Sequence, residues 1–262
     1  MIRGALAAAL LCAGCVTGLH ASYWMPHFSN ETSSGSGSDL IDIQDDLGIE
    51  TGNLFVFEIQ GEAGRQRGRL GYWQVTGEGS STVGAGGFNF ANHTYQAGDQ
   101  TESEMDLAII SAVWEPGIVQ TPRFRLGISI GVNMLQFNLV ADDLTNPPAP
   151  GDGEVHVPSE DSDLSSIGYM PVPVAGLGID VGIKPWLWFV LRGEAFDTDL
   201  VPLVPDVDAL FYGGQAGFIF GRAKKHIIGF AGYRYYHAEY TYDTDTGDST
   251  LNGPIAGLTV IF

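Results

Sequence analysis

Few residues in this chain combine a type and a spacing that could do chemistry, and each can be tested against the backbone its pattern demands. Gly127-Ile128-Ser129-Ile130-Gly131 has the G-x-S-x-G spacing of a serine nucleophile. That chemistry needs a sharp strand-to-helix turn that lifts the hydroxyl out of the fold. Here the five residues sit inside an unbroken apolar/polar alternation, so Ser129 reads as a small residue on a polar strand face. Asp243, Asp245 and Asp248 open like a calcium loop but lack its central glycine and its distant glutamate. An acidic hairpin tip is expected there instead. Glu104 with Asp106, and His237 with Glu239, could act as acid and base near a rim. Alternation puts His237 and Glu239 on the face opposite Arg234. No catalytic residue, metal site or cofactor is assigned.

A second group of polar residues recurs on one face of successive apolar segments: Glu58, Glu62, Glu104, Asp106, Arg125, Asp180, Arg192, Glu194 and Arg234. A charge enclosed away from water is tolerable only beside a partner. A lumenal charge network is therefore expected, its core being Glu58, Glu62, Asp180, Arg192, Glu194 and Arg234. Arg192 and Arg234 should each contact one of those acids, because they are the two basic residues that lie far from any connection. A filled interior follows, with Gly176, Gly178 and Gly217 packed among Tyr72, Trp188 and Tyr236.

The elements that must position these side chains are strands. Ten stretches of period-two alternation run approximately over 20–33, 53–63, 69–80, 102–114, 123–140, 166–183, 187–198, 209–221, 227–242 and 250–262. Each matches or exceeds the roughly 9–11 residues with which a tilted strand crosses a bilayer. Phe55, Phe57 and Ile59 oppose Glu58, Gln60 and Glu62; Leu187, Phe189 and Leu191 oppose Arg192 and Glu194; Leu126, Ile128, Ile130 and Val132 oppose Arg125, Ser129 and Asn133. Alternation alone suits a soluble barrel as well as a membrane one.

Charge placement separates the two. Of 12 Lys and Arg residues, nine cluster at four short connections: Arg65, Arg67 and Arg69; Arg123 and Arg125; Lys184; Arg222, Lys224 and Lys225. The intervening connections, near 34–52, 81–101, 141–165, 199–208 and 243–249, hold none and are rich in acids. Short basic turns alternating with long acidic loops are what a transmembrane barrel with both termini in the periplasm produces. The sequence thus predicts an all-β fold, a transmembrane antiparallel up-and-down β-barrel of about ten strands. Arg65, Lys184 and Lys224 should lie at its periplasmic end, and Asp45, Asp152 and Asp245 at the other. Serines and glycines over Ser33 to Ser38, with Pro147, Pro148 and Pro150, suggest mobile loop tips.

Both ends of the chain fit export to such a membrane. Arg3, the apolar run from Ala5 to Leu11 and the small residues that follow have the layout of a signal peptide, expected over residues 1–21 with the barrel over 22–262. Ala13-Gly14-Cys15 also resembles the end of a lipoprotein signal, with Cys12 where such a signal usually has leucine. Acylation at Cys15 and ordinary cleavage near Gly18 or Ala21 both stand as alternatives. No cysteine follows Cys15, which excludes an intramolecular disulfide from the exported chain. Leu258, Val260 and Phe262 alternate onto one face at the C-terminus.

That closing strand, with Gly257, Val260 and terminal Phe262, resembles the signal read by the outer-membrane barrel-assembly machinery. Gly232-Tyr233-Arg234-Tyr235 and the Asp42 to Gly48 segment resemble small OmpA-type and OmpW-like barrels of Gram-negative bacteria. The resemblance implies outer-membrane localisation and contact with outer-membrane lipid and lipopolysaccharide. It implies no catalytic residue. Omptin-type proteases also have ten strands, but their paired aspartates and Asp-x-His partner are not found here. The net charge of −19 becomes −20 once Arg3 leaves with the signal, which excludes nucleic acid as a partner and leaves divalent cations as candidates at the acidic loops. The function expected is structural or surface-interacting. The alternatives are a narrow selective channel for small or hydrophobic solutes and a rim-located hydrolase of omptin or lipid-hydrolase type. Interior acids outnumbering arginines would make any residual conductance cation-favouring.

Overall fold

The computed structural model describes residues 16–33, 38–52, 54–149, 152–157, 169–198, 207–221, 227–242 and 245–262. Valine, isoleucine, phenylalanine, tyrosine and threonine recur at period two with almost no helix-forming run, and every regular element among these residues is a strand. In chain order they are β1 (Val16–Trp24), β2 (His27–Ser33), β3 (Ile41–Asp42), β4 (Ile49–Thr51), β5 (Leu54–Ala63), β6 (Gln66–Thr82), β7 (Phe88–Phe90) and β8 (His93–Tyr95). There follow β9 (Gln100–Thr121), β10 (Phe124–Asp143), β11 (Glu154–Val157), β12 (Met170–Lys184), β13 (Leu187–Asp197), β14 (Val207–Phe220), β15 (Ile227–Tyr242) and β16 (Asp245–Ile261).

Ten of these make an antiparallel ring in the order β1-β5-β6-β9-β10-β12-β13-β14-β15-β16, closed by β1 on β16 through pairs such as Leu19 with Val260. Pro26 interrupts the first wall strand, which resumes as β2 on the flank of β16, Phe28 opposite Leu251. β4 leads into β5 and holds β6, and β11 covers the flank of β10 beyond β12. Short turns, the start of β1 at Val16 and the C-terminal Phe262 share one end, called here the turn end; the long connections share the loop end. β1 begins at Val16, upstream of residue 22, and Gly18–Ala21 are paired on both sides.

One strand is far longer than the alternation suggested, and its neighbour is as long as expected. The expected 102–114 is 22 residues in β9, and 123–140 is 20 in β10. At about 3.3 Å per residue these are roughly twice what a membrane crossing needs, so their loop-end halves stand clear of a bilayer. The wall shows the change. In the turn-end half Phe55, Phe57, Trp114, Ile130, Leu177, Leu191, Phe218 and Leu258 face outward and are exposed. In the loop-end half the apolar side chains face inward: Val75, Met105, Leu107, Ile109, Phe137 and Leu139 are buried, and Glu78, Glu102 and Glu104 face out.

The long connections complete that inner core. Ile41, Ile43, Leu47 and Ile49 from the first, Phe90 and Tyr95 from the β7–β8 hairpin and Val155 from β11 all join it. Asp42 starts an Asx turn, its carboxylate accepting the amides of Gln44 at 2.8 Å and Asp45 at 3.0 Å. Gly48 then takes φ +69° against the Ser80 carbonyl, where a Cβ would sit at 2.7 Å. Tyr95 donates to the Ala141 carbonyl at 2.5 Å, and burial, with Asp143, Asp142 and Asp152 around it, pushes its phenol pKa up. Asp45 and Asp152 stand at the loop end and Arg65 and Lys184 at the turn end; Lys224, Pro150 and Ser34 to Gly37 lie outside the described residues.

Candidate functional site: the tiered lumen

Directly opposed residues in a ladder share a face, so register alone collects the lumenal charges at the turn end. Arg67 and Arg69 come from β6, Glu58 and Glu62 from β5, Glu115 from β9, Arg125 from β10, Asp180 from β12, Arg192 and Glu194 from β13. Asp180 accepts from Arg67 at 2.9 Å and from Arg192 at 3.0 Å. Glu115 is ringed by Arg125 at 3.2 Å, Arg67 at 3.5 Å and Arg192 at 3.7 Å. Arg69 donates to Glu194 at 2.8 Å and lies 3.9 Å from Glu58. Glu62 lies 3.8 Å from Arg67 and 3.7 Å from Arg125. Gly127 and Gly178 make the room for Glu115: a Cβ on either would fall 2.8 or 2.6 Å from its side chain.

Several sequence expectations are corrected here. Glu104 and Asp106 are not lumenal; Met105 and Leu107 share the inward phase with Ser111 and Glu115, and Gln74 binds Asp106 on the outer face at 2.9 Å. Tyr72 is likewise outward, opposite Phe57. Arg67 and Arg69 are buried network members and not turn charges, whereas Arg125 lies in the lumen as its alternation indicates. Arg234 is buried in the lumen, yet no carboxylate among the described residues lies within ion-pair distance of it. Its Nε donates to Gln215 at 2.9 Å, and its guanidinium lies over Trp24 at 5.6 Å and Tyr236 at 5.8 Å. Within this turn-end network, among the described residues, Glu58, Glu62, Glu115, Asp180 and Glu194 are matched by Arg67, Arg69, Arg125, Arg192 and Arg234, five against five; Asp99 and Asp143 are buried at the loop end. Glu115 lies one residue beyond the alternating stretch 102–114, and its phase with Ser111 and Val113 is the signal that places it inward.

Above the charges stands an aromatic tier. Trp24 meets Trp73 edge-on at 5.5 Å, Tyr236 lies 5.4 Å from Trp73 and 5.9 Å from Trp24, and Phe211 packs 5.6 Å from Tyr236. A polar cavity of about 290 Å³, lined by His20, Glu58, Gln60, Arg69, Arg192 and Arg234, lies on the turn-end side. An apolar cavity of about 50 Å³ lies on the loop-end side, and Trp73 and Tyr236 border it.

The remaining candidates do not form a lumenal site. Ser129 is buried in the middle of β10, in continuous strand and not at an elbow. His237 is on the outer face, its Nε2 3.0 Å from Glu239 and its Nδ1 2.9 Å from Thr250 and 3.5 Å from Asp248, with its ring tilted against Tyr212 at 4.6 Å. Val260 and Phe262 point outward, while Gly257 faces in against Ser22, where a Cβ would sit at 2.5 Å. Cys15 and Asp243 lie outside the described residues.

Ten antiparallel strands, a closed ring, an outward apolar belt and a charged interior define a transmembrane β-barrel of the outer-membrane type. The outer membrane protease OmpT from Escherichia coli superposes with a TM-score of 0.51 at 10% identity, over 94% of this chain and 97% of that one. The translocator domain of autotransporter NalP from Neisseria meningitidis gives 0.44 at 12% identity, over 100% of this chain and 95% of that one. At such identities the likeness concerns fold alone. No family model matches the chain, and no curated protein matches it.

Proposed function

We propose that this chain is an outer-membrane barrel closed along its axis, with a structural or surface-interacting role. The observation that carries this reading is the stack of three layers across the lumen: a charge-balanced network, the Trp24–Trp73–Tyr236 tier and an apolar core into which the loops fold. A ten-stranded ring is only slightly wider than the eight-stranded ones that side chains fill. Purified protein in planar bilayers should accordingly show no large, persistent conductance. Stable porin-sized channels would overturn the reading in favour of selective transport of small or hydrophobic solutes.

In this reading the turn end faces the periplasm and the acidic loops face outward, where divalent cations would bridge them to anionic lipopolysaccharide. Cysteines placed at Asp152 and Arg65 should react with an impermeant label in intact cells at 152 and not at 65. The Gly257, Val260 and Phe262 strand is the segment offered to the barrel-assembly machinery. Processing before Cys15 would leave β1 whole, whereas a cut near Ala21 would remove residues paired to β5 and β16. The N-terminal mass of the exported protein distinguishes the two.

A further inference from the structure

Arg234 stands apart from the arginines around it. Arg67 at 2.9 Å, Arg69 at 2.8 Å and Arg192 at 3.0 Å each donate to a carboxylate. Arg234 donates only through Nε, to Gln215, and its two Nη groups make no hydrogen bond among the described residues. The residue is 7% exposed, so four of its five N–H donors are held away from bulk water without an acceptor. Enclosed donors are costly until something accepts from them.

Arg234 lines the turn-end cavity of about 290 Å³, and the rest of the lining sets the charge and shape of what fits there. Four arginines, Arg67, Arg69, Arg192 and Arg234, face three acids, Glu58, Glu62 and Asp180, while Glu194 lies outside the lining and is held by Arg69. One positive charge is in surplus at the cavity, which suits a monoanion. The other wall is apolar: Val190, Ile219 and Phe230 come from the adjacent strands β13, β14 and β15. Gly232, the one inward position between Phe230 and Arg234, lets the Phe230 ring lie against the wall, since a Cβ there would sit 2.8 Å from it. Gly18, Ile228 and Ile261, at the turn-end limits of β1, β15 and β16, also border the cavity, so it reaches the turn-end rim.

We propose that this cavity binds a small organic monocarboxylate entering from the turn end, its carboxylate accepting from the Nη groups of Arg234 and its apolar body lying on Phe230, Ile219 and Val190. An apolar cavity of about 150 Å³ takes up benzene, so about 290 Å³ holds one ring and a carboxylate. The planar guanidinium fork matches a carboxylate with two parallel hydrogen bonds, and Trp24 and Tyr236 against its face fix its orientation. The Trp24–Trp73–Tyr236 tier closes the cavity towards the loop end, so the site is a blind pocket and leaves the axial closure proposed above as it stands.

Fluorine NMR of para-fluorobenzoate with the purified full chain in detergent tests this, protein-free micelles giving the baseline. Saturable binding of one molecule per chain is expected, and none of para-fluorobenzyl alcohol, which has the ring without the charge. Arg234→Gln should weaken binding about 10–100-fold, the worth of a charge-assisted hydrogen bond. Ile219→Trp fills the apolar side with every arginine in place and should abolish it. Both variants are checked for native circular dichroism, and the comparison of carboxylate with alcohol decides the charge requirement on the native chain if Arg234→Gln does not fold. Equal binding of the alcohol, or binding unchanged in Arg234→Gln, overturns the proposal. Displacement by phosphate or acetate as readily as by benzoate overturns the organic class, because the apolar wall then contributes nothing. A titration without saturation removes the site, whereas axial closure is read separately, by conductance.

Discussion

The two halves of this barrel are turned inside out with respect to each other. At the turn end, apolar side chains face outward and the interior is an ion-pair network; at the loop end, leucine, isoleucine and phenylalanine fill the interior and glutamates face out. One strand, β9, does both: Leu107 and Ile109 and then Glu115 occupy the same inward phase. The difference teaches that alternation reports only that two faces differ. Which face is inside depends on whether the surroundings are hydrocarbon or water.

The largest effect should come from Glu115→Ala, which strands Arg67, Arg125 and Arg192 without their shared carboxylate. A loss of about 3–5 kcal/mol in denaturant unfolding is expected, as for a broken buried ion pair. Leu139→Ala in the loop-end core should cost about 2–5 kcal/mol through lost burial and a cavity, with no dependence on salt or on the arginines. If the two losses proved equally sensitive to a charge-restoring second mutation, the contrast between the halves would be wrong.

Arg234→Gln should be milder, about 1–2 kcal/mol, because it removes one hydrogen bond and two aromatic contacts but leaves no acid without its nearest arginine. A loss as large as that of Glu115→Ala would mean that Arg234 is paired after all. At the loop end, Asp143 supplies a pH test. Burial pushes its pKa up, but the amides of Asn146 and Thr145 and the His93 ring outweigh this and hold it low. A carboxyl whose folded pKa is depressed contributes stability above its unfolded value near 4 and loses it as pH falls through the folded value. Hydrogen exchange at Thr145 and Asn146 should therefore accelerate below about pH 4 in the native chain, and already at neutral pH in Asp143→Asn. The smallest effect belongs to Glu104→Gln, within about 0.5 kcal/mol as for an exposed site. A cost of several kcal/mol would return Glu104 to the lumen.

All ten wall strands were legible in the sequence, because period-two alternation and the sorting of charge by connection length are local signals. The long connections were less so. Ile41, Ile43 and Leu47 sit among acids and turn residues, and only the tertiary fold shows that they join the buried loop-end core. Glu104, Asp106 and Tyr72 were misassigned for one reason: the rule that apolar faces lipid was carried past the membrane, where it reverses. The length of β10, already 18 residues in the alternation, was the available warning. Arg67 and Arg69 looked like turn charges because the network that buries them is assembled from five other strands, which no local pattern reports.

The shared carboxylates also bear on how the barrel finds its alignment. Arg67, Glu115, Arg125, Asp180 and Arg192 come from five wall strands that lie side by side, β6, β9, β10, β12 and β13. A slip of one residue in any of them flips every side chain of that strand to the opposite face. It would carry a charge into hydrocarbon at about 2–4 kcal/mol for a mid-membrane arginine, and orphan its neighbours in the same step. Near-miss alignments are therefore penalised twice, and the mature arrangement is separated from them by an energy gap that apolar packing, which accepts many registers, would not provide.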